Sequence, residues 1–316
     1  MTNRDYTFDL IRAIAIIWIV CIWHLTNYYP QQSNFYLLIM NKYGYDITVV
    51  ILSIFTLLSG LFLGQKKVLN LNDFLLFYKK RATRFYLLFI ISCVTLYFTP
   101  CHWGNFIEDK EQLLLTMTGL SVFIGKMPST LWYMDMLLFF YILTPFILYI
   151  KNKKIKITAS ILIYFICFII NHYFHVIENR IVFYMPYYLL GLFVGADNLK
   201  FICIKNKTFL IISCIIIISV GQVLTNYYFT YLYNLAGVIL LLCLIFCLKI
   251  KTEILKAGFI ISYASMAMYL FHRQLYAMFW NLGISAYLAI PFILVVSYFI
   301  QNGYDISMNY LRKNEK

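Results

Sequence analysis

A chain of 316 residues that is 62% hydrophobic and only 12% charged cannot cover itself with polar surface as a soluble domain would. Its formal charge of +13 would suit nucleic acid, but a nucleic-acid binder needs a water-exposed basic face. Here Lys and Arg sit in short clusters between apolar spans, so the composition points to an all-α polytopic membrane protein with membrane lipids around it and no nucleic-acid partner.

The first apolar stretch, residues 8–28, has the roughly 20 residues a helix needs to cross a bilayer, yet it carries Asp9, Arg12 and His24. Its length, its opening carboxylate and the lack of a small-residue cleavage site distinguish it from a signal peptide. A second span covers 46–64 and hands over to the basic stretch Lys66, Lys67, Lys79, Lys80, Arg81 and Arg84. Residues 85–99 form a third. Residues 100–127 are mixed, with Glu108, Asp109 and Glu111 ahead of a run too short to cross, which predicts a re-entrant or interfacial segment. Pro128-Ser129-Thr130-Leu131-Trp132 has the hydroxyls of a capped helix start. Later spans fall at 131–150, 155–171, 181–196, 209–224, 232–248, 258–279 and 284–301, for about ten transmembrane helices in one domain, 1–316.

Charge tests the layout independently of hydropathy. With a cytoplasmic amino terminus and alternating spans, 21 of the 26 Lys and Arg residues fall on the inner side; Lys42, Lys110, Lys126, Arg180 and Arg273 are the exceptions. That bias follows the positive-inside rule and predicts both termini in the cytoplasm, in a multi-pass protein of the cell's inner (plasma) membrane. The eight cysteines lie mostly inside apolar runs without C-x-x-C spacing and indicate neither a disulfide framework nor a metal.

Several polar residues at membrane depth invite a chemical reading. Asp9 and Arg12, at i,i+3, can neutralise each other at the membrane edge or serve a site. His24 lies 12 residues, about 18 Å, beyond Arg12. It is either a satisfied core histidine or a general base. Arg81 and Arg84 share a helix face, as a topological anchor or as a planar fork for phosphate. Trp132 and Tyr133, followed by Asp135, form an aromatic girdle or donate to a developing oxyanion. Tyr269-Leu-Phe-His272-Arg273 places a second ionisable pair near the far surface.

Together these stretches resemble the integral-membrane acyltransferase family 3, O-acyltransferases of surface polysaccharides and related glycans. The matching segments are Phe8-Asp9-Leu-Ile-Arg12-Ala-Ile-Ala with His24, Leu58-Ser59-Gly60, Lys80-Arg81-x-x-Arg84, Leu131-Trp132-Tyr133-Met-Asp135 with Tyr141 and Pro145, Tyr188-Leu-Leu-Gly191 with Gly195, and Tyr269-Leu-Phe-His272. The resemblance implies transfer of an acyl group, usually acetyl, from cytoplasmic acyl-CoA to a hydroxyl of a cell-surface glycan or lipid-linked saccharide. It assigns catalysis to Arg12 and His24, acyl-CoA binding to Arg81 and Arg84, and no metal. Asp9, Trp132 and Tyr133 are expected beside the catalytic pair, and Asp135, Tyr269 and His272 near the acceptor. Partner enzymes of glycan assembly would perform any second transfer step. The alternative is a transporter or exporter of a glycan or lipid-linked sugar, since intramembrane charges also mark permeation pathways.

Two departures from the family pattern carry structural expectations. Family members usually separate arginine and histidine by ten residues; here eleven intervene. At 100° per residue the usual step brings the pair within about 20° of one face, and the step here leaves it about 120° away. A π-turn between Ala13 and Trp23 would absorb the extra residue and open Arg12 and His24 onto one polar cavity. After Arg84, where the family often has a proline, this chain reads Phe85-Tyr86-Leu87-Leu88.

Overall fold

The structure, a computed structural model, describes residues 6–25, 42–66, 68–100, 107–124, 128, 130–223 and 227–314. Among them every regular element is a helix, the form in which a lipid-embedded backbone can satisfy its own hydrogen bonds within one segment. The order is α1 (Thr7–His24), α2 (Lys42–Gly64), α3 (Leu71–Phe98), α4 (Lys110–Thr118), α5 (Ser121–Ile124), α6 (Trp132–Tyr149), α7 (Lys153–Phe174), α8 (Asn179–Val194), α9 (Ala196–Lys205), α10 (Lys207–Val223), α11 (Tyr227–Cys247), α12 (Thr252–Asn281) and α13 (Ala286–Asn314).

Each of the ten expected spans has its helix, but the count needs correcting. Among the described residues eight helices are long and apolar enough to cross a membrane, whereas α8 and α10, at 16 and 17 residues, are short of the roughly 20 required. From α8 the chain turns by 98° into α9 at Gly195, whose φ of 75° suits a residue without Cβ, so this pair makes at most a ninth, bent span. In the 100–127 region α4 and α5 are 9 and 4 residues long, too short to cross.

The basic stretch after α2 is not a simple connection. Asn70 and Asp73 form a reciprocal capping box that starts α3 at Leu71, well ahead of residue 85. The helix widens to a π-segment at Ala82–Tyr86, the place where the family's proline is missing. The Tyr304 hydroxyl of α13 donates to the Thr83 carbonyl at 2.7 Å. A longer π-segment, Ile17–His24, fills the second half of α1, where the twelve-residue step predicts one. It is held from outside: the Tyr276 hydroxyl donates to the Val20 carbonyl at 2.8 Å, and the Trp18 indole to Thr48 at 3.0 Å. By contrast, among the described residues no hydroxyl caps the start of α6; Leu131 occupies the cap position in helical conformation, and Trp132 N–H donates to the Pro128 carbonyl. Ser129 lies outside the described residues.

Helices in lipid gain little by hiding apolar surface from one another, so close approach depends on small residues. At α2–α8 a Cβ on Gly60 would stand 2.1 Å from the Tyr188 carbonyl oxygen, and one on Gly191 2.1 Å from that of Leu57. Leu58-Ser59-Gly60 and Tyr188-Leu-Leu-Gly191 are thus two halves of one backbone contact. Gly258 of α12 similarly receives Leu10 of α1. Polar clips fix α3 to α12: Ser92 donates to the Leu270 carbonyl at 2.7 Å and Gln274 to the Ser92 carbonyl at 3.2 Å. On the periphery, α7 exposes Ile161, Leu162, Phe165, Ile166 and Ile169, the composition of a lipid-facing surface.

Candidate active site

Two cavities open between these helices. The first, about 630 Å³, carries six charged side chains on its wall: Asp9, Arg12, Lys66, Arg81, Arg84 and Asp305. The second, about 480 Å³, is lined by aromatic and polar groups that include Trp23, His24, Asp46, Trp132, Arg180 and Arg273. Chain direction shows that they face opposite ends of the bundle. Helix α1 passes from Asp9 and Arg12 in the first to Trp23 and His24 in the second, and α12 from Phe259 and Ser262 to Arg273. Antiparallel α2 runs the other way, from Tyr45 and Asp46 to Phe62 and Leu63. Ile19, Leu52 and Tyr269 belong to both walls, so these side chains stand between two adjoining cavities. Despite the π-segment, Arg12 and His24 therefore open onto two adjoining cavities, correcting the expectation of a shared one.

In the first cavity, Arg12 lies 5.0 Å over the Phe62 ring, and buried Asp9 accepts from the Ser262 hydroxyl at 3.1 Å, tying α1 to α12. Arg81 is half-buried between Phe77 and Tyr141, its guanidinium 5.7 and 5.6 Å from their rings, while the Arg84 side chain is exposed. Across from them Asp305 accepts from the Tyr263 hydroxyl at 2.7 Å and the Gln301 amide at 3.3 Å. Four cations against two carboxylates make this wall suited to a polyanion, and arginine forks suit phosphate in particular.

The second cavity contains the histidine. His24 stacks on His272 with ring centroids 4.6 Å apart and planes within 2°. His272, expected from sequence near the acceptor, is fully buried and stands behind His24, off the cavity wall. Its Nδ1 lies 2.8 Å from the Tyr269 carbonyl and 3.1 Å from that of Met268, and since carbonyls only accept, Nδ1 carries the hydrogen. Parallel rings cannot donate in plane to one another, so the stack packs His24 against His272 without a hydrogen bond between them.

The other expected residues separate. Trp132 and Tyr133 are adjacent in sequence but serve different cavities, Trp132 the second and Tyr133 the first. The Tyr133 hydroxyl is 3.4 Å from that of Thr56, and its ring is 5.6 Å from Tyr269. Tyr269 lines both cavities, but its hydroxyl is committed to the Thr130 carbonyl at 2.7 Å. Asp135 lines neither; it is fully buried and accepts from the Ser121 hydroxyl, joining α6 to α5.

With this geometry the comparisons can be weighed. A family model described as an acyltransferase domain, that of acyltransferase family 3, matches residues 5–300. The chain belongs to this acyltransferase family. No curated protein and no solved structure matches it. Membership makes the chain a membrane acyltransferase.

Sequence reading missed several cavity residues of this acyltransferase. Tyr263 lies inside the predicted span 258–279 and Asp305 just beyond the span 284–301, but nothing in the sequence pairs α12 with α13. Arg180 was visible only as an exception to the charge bias. Asn234, buried at membrane depth, donates to Ser53 at 2.7 Å and to Tyr187 at 2.9 Å beside the second cavity, a cluster that no sequence spacing announces.

Proposed function

We propose that this acyltransferase moves an acyl group, acetyl in the simplest case, from acyl-CoA in the basic cavity to a sugar hydroxyl in the cavity that holds His24. The observation that supports this reading is the common wall of Ile19, Leu52 and Tyr269, which sets a cavity open at one end of the bundle directly beside a cavity open at the other. The positive-inside rule makes the basic end cytoplasmic, where acyl-CoA is available. Arg81, Arg84 and Lys66 hold the CoA phosphates, and the narrow pantetheine arm extends inward past Arg12. His24 accepts the hydroxyl proton as the sugar oxygen attacks the thioester carbonyl. The C–S bond breaks, and the departing thiolate takes up the proton. Tyr133, on the donor side, supplies a hydroxyl for the oxyanion.

The test is the purified chain in proteoliposomes with its basic end outward, labelled acetyl-CoA outside and saccharide inside. Label on the enclosed saccharide supports the reading, and thioester hydrolysis without transfer, or no turnover, defeats it. Comparing surface glycans of cells with and without the gene, for loss of acetyl mass, identifies the natural acceptor.

A further inference from the structure

Resting on that reading, we propose that Asp305 and Gln301 of α13 form a base-recognition subsite in the basic cavity, which takes the exocyclic amino group of the CoA adenine and so selects adenine over a purine that lacks it. The wall of this cavity is not uniformly basic. Beside Lys66, Arg81 and Arg84, which suit phosphate, it carries a patch of acceptors that a phosphate would avoid.

Asp305 is fixed from two sides: one carboxylate oxygen accepts from the Tyr263 hydroxyl at 2.7 Å and the other from the Gln301 amide at 3.3 Å, so each keeps a lone pair for a further donor. Among the described residues no ion pair joins Asp305 to the cations of the cavity, so neutralising them does not account for its presence. Since a carboxylate only accepts, Gln301 must turn its NH2 toward Asp305, which leaves Oε1 at the other end of the amide. That oxygen is buried and has no hydrogen-bond partner among the described residues, on a side chain only 7% exposed in the cavity wall. A buried acceptor without a donor is costly, and one ligand amino group, with two hydrogens, can serve both Asp305 and Gln301. In acyl-CoA the adenine amino group is the NH2 carried on a flat ring, and Tyr141, Phe259 and Tyr263 supply aromatic wall for that ring. The placement fits a nucleotide as well. Tyr304, next to Asp305, donates to the carbonyl of Thr83, which lies between Arg81 and Arg84 in the chain, so the acceptor patch and the phosphate forks are clamped side by side. Hypoxanthine, with a carbonyl oxygen in place of the amino group, would set acceptor against acceptor. A hydrogen bond to a charged group translates into about 10- to 100-fold in affinity.

The experiment titrates the full chain in phosphatidylcholine nanodiscs, by calorimetry, with adenosine 3′,5′-bisphosphate and inosine 3′,5′-bisphosphate, which carry the same phosphates. The adenosine form is expected to bind about tenfold more tightly or better. Asp305→Asn, nearly isosteric, and Gln301→Leu, each checked for folding by its thermal midpoint, should remove most of that preference. A role confined to joining α12 to α13 would lower the midpoint and leave the preference intact. That outcome, or equal affinities in the parent, overturns the proposal while phosphate binding by the arginines stands; binding of neither nucleotide overturns it together with the reading of this cavity as the donor site. Phosphatidylethanolamine also sets an amine beside a phosphate. Adding it to the nanodisc should leave the preference unaltered, and loss of the preference there would assign the subsite to a lipid headgroup and overturn the proposal.

Discussion

The two cavities present charge in different ways. At the basic end, Lys66 and Arg84 are exposed and Arg81 half-buried, so topology alone would place cations there, and their clustering is weak evidence of binding. At the opposite end, His272 and Arg273 are buried inside an apolar 30-residue helix, where an ionisable group is costly without a task. Depth, more than number, separates a charge that topology explains from one that it does not.

The sharpest way to break this contrast is His24→Ala. Removing a general base costs typically 10²–10⁴ in rate, and the cavity wall remains folded, so acyl transfer should fall by that factor while expression, membrane insertion and acyl-CoA binding are retained. Transfer at the parental rate in the proteoliposome assay would remove His24 from catalysis.

A substitution that spares neither cavity comes next. Helix α2 lines both, and Gly191→Val puts a Cβ 2.1 Å from the Leu57 carbonyl oxygen, which backbone cannot yield. Overpacking of this kind typically costs about 1–3 kcal/mol. The thermal midpoint in detergent should fall, with donor binding and transfer lost together; a parental midpoint would show that α2 and α8 can separate without penalty.

These glycines also mark the limit of what was legible beforehand. Hydropathy locates spans because lipid demands long apolar runs, and ten helices lie where it put them. It does not say which face of a helix looks inward, since lipid-facing and buried faces are equally apolar. Asp135, expected at the acceptor, is turned toward Ser121, and Trp132 and Tyr133 diverge, because only packing sets rotation about the axis. The π-segment of α1 was legible for a different reason: one extra residue between two assigned groups is a countable defect. That it would still leave Arg12 and His24 in separate cavities depends on the Ile19, Leu52 and Tyr269 side chains, which no count includes.

At the basic end, Arg81→Lys and Arg84→Lys keep every charge and remove the forks. If the cluster only orients the chain, neither changes anything. If it holds phosphates, the KM for acyl-CoA should rise about tenfold per residue, as a point charge replaces a bidentate donor, with kcat little altered. Parental acyl-CoA affinity in both variants, measured by calorimetry, would return the pair to topology.

The smallest expected effect tests what holds the π-segment of α1 open. An i→i+5 turn has poorer hydrogen-bond geometry than an α-helix and persists where surrounding contacts favour it. Here the Tyr276 hydroxyl of α12 donates to the Val20 carbonyl at 2.8 Å, midway along Ile17–His24. Tyr276 is fully buried, so Tyr276→Phe changes no volume and leaves the carbonyl without that donor. The cost should be about 1 kcal/mol of stability, the typical net contribution of such a bond. If the π-turn is what aims His24 into the second cavity, kcat should fall severalfold while the KM for acyl-CoA, set at the other end, stays put. A variant that loses stability but keeps kcat would show that the stack on His272 alone orients the base, and one that raises the KM for acyl-CoA would show that the two ends are not independent.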